Sequence, residues 1–223
     1  MTSEGYLELV KRADEVPGAL GSLVRRKSGS ASVGFKQVPL YWLSVYLKEP
    51  PAYERDGRTA EQTGGSRVSL DNDAAALLFL AIAASKFAFV WWYSTGDDFH
   101  LTNLVLGKIP IDPSRFSEAG KSRLSAAATR LVGDFPNHML FTPYAGKYIG
   151  NYVLSEMRDI TDQIDQVIAE ELGFEELLPA LEHAYACVYK PTGERPGTLR
   201  HDPFLNAGVA SREVPNPKGK REG

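Results

Sequence analysis

Ala74 to Ala84 is an unbroken run of eleven apolar residues, and after Ser85 and Lys86 the run resumes from Phe87 to Tyr93. Few stretches constrain a chain so tightly. A membrane-spanning helix needs about 20 apolar residues. Here Lys86 would fall past the middle, at a cost of about 3 kcal/mol on insertion scales, and the flanks "SLDND" and "STGDD" are acidic. The better reading is a helix buried inside a soluble domain. Asp71 or Asp73 can cap its start, because a short side-chain oxygen accepts from the unpaired N–H groups of a first turn. It should run to about Tyr93 and end at Gly96. A helix that is apolar nearly all round belongs at the centre of a core.

With 223 residues and 43 % hydrophobic composition, the chain can build such a core. A net charge of −3 gives no global argument for nucleic acid. The single cysteine, Cys187, forbids an internal disulfide and fits a reducing, cytoplasmic setting. It lies on a helical stripe, where a buried, inert thiol is the default. Charge is unevenly spread: residues 1–150 hold 17 basic against 15 acidic side chains, and residues 151–223 hold 8 against 13. The chain divides into an α+β domain over 1–150, a helical hairpin over 151–190, and a tail over 191–223. The tail is too rich in Pro, Gly and charge to repay ordering, and is expected to be disordered.

Around the central helix the pattern is mixed. "VPLYWLSVYL", Val38 to Leu47, reads as a strand. Lys48 to Arg67 reads as a polar loop, Arg67 to Leu70 as a short strand, and Leu104 to Ile111 as another strand stopped by Pro110 and Pro113. Glu118 to Val132 should be helical with Leu124, Ala127, Ala128 and Leu131 on one face. Asp134 to Gly150 is loop-like. Ile160, Ile164, Val167, Ile168 and Leu172 form one helical stripe, with Asp159 as its N-cap and Gly173 as its stop. Leu177, Leu178, Leu181, Ala184, Tyr185 and Val188 form a second. Two helices across one glycine make a hairpin. Its outer faces would carry Asp162, Asp165, Glu170, Glu171, Glu175, Glu176 and Glu182, and their role would be solvation.

The chemistry-bearing residues gather after the central helix. Asp97, Asp98 and His100 could begin a metal site, but they supply only three ligands, and no other histidine has a partner at metal-site spacing. Gly96, Asp97 and Asp98 read better as a structural turn. There is no G-x-S-x-G, no phosphate loop and no G-x-G-x-x-G. Catalysis by this chain alone therefore has little support, and a metal-dependent hydrolase is the weakest alternative. Recognition fits better. Trp91, Trp92 and Tyr93 are spaced about 100° apart on a helix and cannot all face one core. Tyr93 near the donors Lys86, His100, Thr102, Asn103 and Lys108 would suit a base or a sugar-phosphate. Equally, all three aromatics could fill core.

"AIAASKFAFVWWYSTGDDFHLTNLVLGKIPI" resembles a segment near the C-terminus of adenine-specific DNA methyltransferases of type IIG-like restriction–modification systems. Ser85-Lys86, Phe89 with Trp91-Trp92, Asp98 to Thr102 and Ile109-Pro110 carry the likeness, and Ala84 stands where Asn is common. "GKYIGNYVLSEMRDITDQIDQVIAEELGF" resembles the same family through Gly150-Asn151-Tyr152, Arg158 to Asp162 and Leu172-Gly173-Phe174. The resemblance covers about Val38 to Lys190. It implies a target-recognition domain that reads double-stranded DNA.

The family's catalytic parts are missing. There is no glycine-containing S-adenosylmethionine loop and no Asn/Asp-Pro-Pro-Tyr/Phe, since "HDPFL" at His201 to Leu205 has one proline. The implied role is the specificity part of a restriction–modification methyltransferase. S-adenosylmethionine would be held only by a separate methyltransferase or restriction subunit, and no cofactor by this chain. DNA contacts would come from the donors above, from Arg25, Arg26 and Lys27, and from Lys147 and Tyr148. The alternative is a protein-interaction or regulatory module that docks on such a complex without touching DNA.

Overall fold

The computed structural model describes residues 8, 11–12, 15, 17–25, 29–38, 42–96, 100–188, 197–200 and 204. Asp97 and Asp98, Arg26 and Lys27, and most of the tail lie outside them. The fold class is α+β: helices pack with two antiparallel sheets.

The central apolar run is helical but not one helix. It forms α1 (Asp73–Ala83) and α2 (Lys86–Thr95), bent by 64° at Ala84-Ser85. No single helix among the described residues is long and apolar enough to cross a membrane. The expected continuous helix fails because three polar groups take over the backbone at the break. Ser85 Oγ accepts from Ala88 N (3.1 Å) and donates to Ile82 O (2.6 Å). Trp42 Nε1 donates to the freed carbonyl of Ala84 (3.1 Å). Asp165, from the far side of the molecule, accepts from Lys86 N (2.9 Å). At the start of α1 the cap is Asn72, whose side chain accepts from Ala75 N (2.9 Å). Neither Asp71 nor Asp73 caps it; Asp71 is engaged by Arg25.

The first sheet has the order β2 (Val45–Tyr46), β1 (Ala31–Lys36), β5 (Gly65–Leu70). It covers one side of α1, with Val33, Phe35, Val68 and Leu70 buried. Of the strand expected over Val38–Leu47, the described residues show two, Val45–Tyr46, and the main strand lies earlier. β1 hides in the sequence because it uses Ala, Ser and Gly. Gly34 is required there: a Cβ would sit 2.2 Å from the Tyr46 ring. Leu104–Ile111 is not a strand. Thr102 accepts from Val105 N (3.2 Å) and starts a short helix, α3 (Asn103–Gly107).

On the other side of α1 and α2 lie α4 (Glu118–Asp134), α5 (Arg158–Leu172) and α6 (Leu178–Val188). The four apolar residues expected on the inner face of α4 are all buried. α5 and α6 form the expected hairpin. At its turn Gly173 has φ 67°, Phe174 N donates to Ala169 O (2.8 Å) and Gly173 N to Glu170 O (3.4 Å), which closes the last open carbonyls of α5. Asp159 does not cap α5, which starts one residue earlier, at Arg158, with no side-chain cap. One apolar core runs from Leu20 through Tyr185, so the hairpin and the preceding elements share it.

The second sheet has the order β4 (Thr59–Ala60), β3 (Ala52–Glu54), β7 (Lys147–Tyr152), β6 (Met139–Tyr144), β8 (Leu199–Arg200). The expected loops at Lys48–Arg67 and Asp134–Gly150 both contribute strands to it. Pro143 and two glycines disguise β6 and β7. Their two-residue turn has both central residues at positive φ, Ala145 at 47° and Gly146 at 88°, the twist that suits a tight hairpin. Its own core is small: Met139, Phe141 and Tyr148, with Tyr53, Tyr152, Leu199 and Phe204 partly buried around them.

Candidate functional site

Lys86 is not an exposed donor. Its side chain is 6 % exposed. Nζ donates to Asp162 Oδ1 (2.7 Å) and Glu182 Oε2 (2.6 Å) and lies 3.6 Å from Asp165 Oδ2. Arg158 joins the same two outer carboxylates, at 3.0 Å from Asp162 and 2.8 Å from Glu182. Both cations lie over the Tyr185 ring, Lys86 Nζ at 5.9 Å and Arg158 at 5.5 Å from its centroid. Asp165, expected on a solvated face, is 1 % exposed. Burial pushes its pKa up to about 7, although Lys86 pulls the other way. Burial also opposes the charge on Lys86, but Asp165, Asp162 and Glu182 outweigh it and hold its pKa above the ordinary lysine value. The helical period showed these acids on one side of the hairpin. It could not show that a lysine from the apolar run would enter between them.

Tyr148 is 3 % exposed and belongs to the core of the second sheet. Trp92 is also core, at 2 % exposed, and its Nε1 donates to His100 O (3.1 Å). It therefore fixes the end of the following loop from behind. Trp91 is half-buried, and only Tyr93 of the three reaches solvent substantially, at 39 %. Cys187 is exposed rather than buried, with Sγ 3.6 Å from His183 Nε2 one turn earlier on α6.

The remaining candidates separate into two groups. Arg25 is paired with Asp71, which raises its pKa through the hydrogen bond and charge, and Lys147 lies 3.6 Å from Glu54. His100, Thr102, Asn103 and Lys108 are exposed and lie together around α3. Asn103 Nδ2 ties α3 to Arg67 O (3.3 Å), and Leu101 N donates to Gln37 O (2.8 Å). These two bonds seat the segment on the first sheet. Its most prominent side chain is Leu104, 67 % exposed, with Val38 (40 %) and Tyr93 beside the same segment. Of the described basic candidates, only Lys108 has no carboxylate partner among the described residues.

A second cluster had no signal in the sequence. At the seam between the sheets, Lys36 Nζ donates to Asn151 Oδ1 (2.6 Å) and Gly150 O (3.3 Å). Gln62 Nε2 donates to the same Gly150 O (3.0 Å) and to Pro50 O (2.8 Å). Burial lowers the Lys36 pKa to about 8, with Glu49 opposing. Tyr46 beside it is pushed up to about 12, mainly by burial and then by Glu49. Such an amine is partly neutral near pH 8. No cluster of three or more metal-ligating side chains occurs among the described residues. Comparison of the chain with family models, with curated proteins and with solved structures finds no match.

Proposed function

We propose that this chain is a recognition module that docks on a protein partner through the surface built on α3. The observation that carries the reading is Leu104. It is two-thirds exposed on a short helix that is itself pinned to the first sheet, and Tyr93 and Val38 are the part-exposed apolar residues of the flanking segments. Rigid apolar side chains with a polar rim are the usual makings of a protein interface. Here the rim is His100, Thr102, Asn103 and Lys108. The sequence resemblance supplies the class of partner: the catalytic chain of a DNA adenine methyltransferase, which would hold the S-adenosylmethionine.

Direct reading of duplex DNA is the second interpretation. It is favoured by the same exposed polar residues in and around α3. It is weakened by the charge pattern, since Lys86 is buried in a carboxylate cage and Arg25 and Lys147 are paired. Phosphate binding needs several available cations, each contributing about −0.9 to the slope of log affinity against log salt.

A salt series on duplex DNA, with and without a methyltransferase catalytic chain, separates the two. The protein-docking reading expects weak DNA binding by the chain alone, and a stable complex with the catalytic chain that Leu104→Asp abolishes. Steep salt-dependent binding by the chain alone, unaffected by Leu104→Asp and lost with Lys108→Ala, would reverse the order of the two readings.

A further inference from the structure

A cleft of about 300 Å³ opens where the described N-terminal residues meet the turn at Asp112–Phe116 and the end of α5. None of the residues assigned to the α3 surface lines it. Its walls are fixed by bonds already made. Arg12 Nη2 donates to Gly173 O (2.7 Å), Nη1 meets Glu176, and the guanidinium lies 4.5 Å from the centre of the Phe174 ring. Glu171 accepts from Ser117 N (2.7 Å) and Ser117 Oγ (2.6 Å) at the start of α4. Asp112 Oδ1 accepts from Ser22 Oγ (2.8 Å) and Ser114 N (3.0 Å). Arg115 Nη1 donates to Pro17 O (3.2 Å), and Leu20 N donates to Ile109 O (2.9 Å). Gly18 permits that close approach. It holds φ 96°, and a Cβ there would stand 2.5 Å from Asp112 Oδ2.

Five charged side chains line the cleft: Arg12, Glu15, Asp112, Arg115 and Glu171. The bonds above commit Arg12, Asp112 and Glu171 to holding the walls. The other two keep most of their capacity. A guanidinium carries several N–H donors, and Arg115 spends one of them among the described residues. Glu15 is exposed and has no hydrogen bond or ion pair among the described residues. The rest of the lining is apolar: Pro17, Phe116, Leu172 and Phe174.

An available cation, an available anion and an apolar wall together complement a small zwitterion. A guanidinium takes a carboxylate through two parallel N–H bonds, and a carboxylate pairs with an ammonium. A purely anionic ligand would meet three carboxylates against two guanidiniums, and a purely cationic one would leave Arg115 unused. The volume stands at the lower end of small-molecule sites, which run from about 300 to 1,000 Å³. That suits one amino acid and is too small for a dinucleotide. We propose that the cleft binds a free α-amino acid with an apolar side chain, its carboxylate on Arg115 and its ammonium on Glu15. The site is independent of whichever partner docks on α3.

The test is a nuclear magnetic resonance titration of the full-length chain with L-leucine. N-acetyl-L-leucine, which lacks the ammonium, and L-leucinamide, which lacks the carboxylate, are titrated beside it. L-leucine should bind with a dissociation constant of about 1 mM, and each derivative about tenfold more weakly. The largest amide shifts should fall at Phe116, Ser117, Leu172 and Phe174. Glu15→Gln should weaken L-leucine about tenfold and leave N-acetyl-L-leucine unchanged. Arg115→Gln should weaken L-leucine as much and leave L-leucinamide unchanged. A loosened fold would instead weaken all three ligands alike, so the crossed pattern identifies direct contact. The proposal is overturned if L-leucine does not bind up to about 20 mM, or if either derivative binds as tightly as L-leucine. Unchanged L-leucine affinity in both variants would overturn it too, as would weakening of all three ligands alike in each variant.

Discussion

Two lysines are drawn away from solvent, one at the helix break and one at the seam of the two sheets, and their fates differ. Lys86 sits at the helix break of the large core among three carboxylates, and its pKa is raised. Lys36 sits at the seam of the two sheets, bonded to a side-chain amide and a main-chain carbonyl, and its pKa falls to about 8. Burial disfavours charge at both places. What differs is the company. The large core is built around an ion cluster and tolerates a charge because it also neutralises it. The seam holds a partly desolvated amine from β1 with neutral acceptors on β7. The first arrangement fixes geometry; the second leaves a group whose protonation can change under mild conditions.

The sharpest way to break this contrast is to remove each lysine. Lys86→Ala strands Asp165 in the interior and is expected to cost about 3–5 kcal/mol in urea denaturation near neutral pH. Lys36→Met should cost less than about 1 kcal/mol, since the lost bonds are offset by relief of desolvation. Equal losses would show that the two sites are energetically alike.

Titration separates the two sites by sign. Asp165 has a folded pKa of about 7 against an ordinary 3.8, so the folded chain binds that proton more tightly than the unfolded chain does. The stability it contributes is present at low pH and is lost as pH rises through 7. Between pH 5 and 8 the loss should be roughly 2–3 kcal/mol, and Asp165→Asn should flatten it. Lys36 acts in the opposite sense. Its folded pKa is depressed from 10.5, so its contribution grows as pH rises from about 8 towards 10.5 and is lost as pH falls through 8. Stability curves of Lys36→Met and Asp165→Asn should therefore deviate from the parent in different pH windows.

Hydrogen exchange gives a smaller but more local readout. Amides of β6 and β7 rest on a cluster with three buried side chains, so they should exchange through partial openings, ahead of those in α1, α4 and α5. Uniform protection would erase the distinction. The smallest expected effect is at the β6–β7 turn. Ala145 holds φ 47°, which costs a residue with a Cβ about 1–2 kcal/mol. Ala145→Asn should recover about 1 kcal/mol, read as a raised melting temperature.

The two halves were also unequally legible in the sequence. α4, α5 and α6 follow apolar stripes at helical spacing, and Gly173 marks its turn because no other residue adopts that φ so easily. The second sheet was nearly invisible. β3 and β4 lie in a polar stretch, and β6 carries Pro143, so alternation never accumulates over enough residues. The break between α1 and α2 could not be found by periodicity: its one local mark is the cap Ser85, and its other partners, Trp42 and Asp165, are distant in the chain. Among site residues, His100, Thr102, Asn103 and Lys108 are all exposed, as their polar character suggests. Lys86 and Tyr148 were misjudged because residue type suggests a donor and says nothing of burial. Lys36 escaped because a lone lysine in a Ser/Gly-rich stretch has no pattern at all.

The carboxylate that closes the helix break lies 79 positions after the backbone group it binds. During synthesis at about 5–20 residues per second, α1 and α2 leave the ribosome on the order of ten seconds before Asp165 exists. Through that interval the most apolar part of the chain is without its cover of α5 and α6, and for the earlier part of it without α4 as well. A nascent chain with this order of parts depends on being shielded, and its yield in a cell will be set by how quickly the last third is made as much as by how stable the finished fold is.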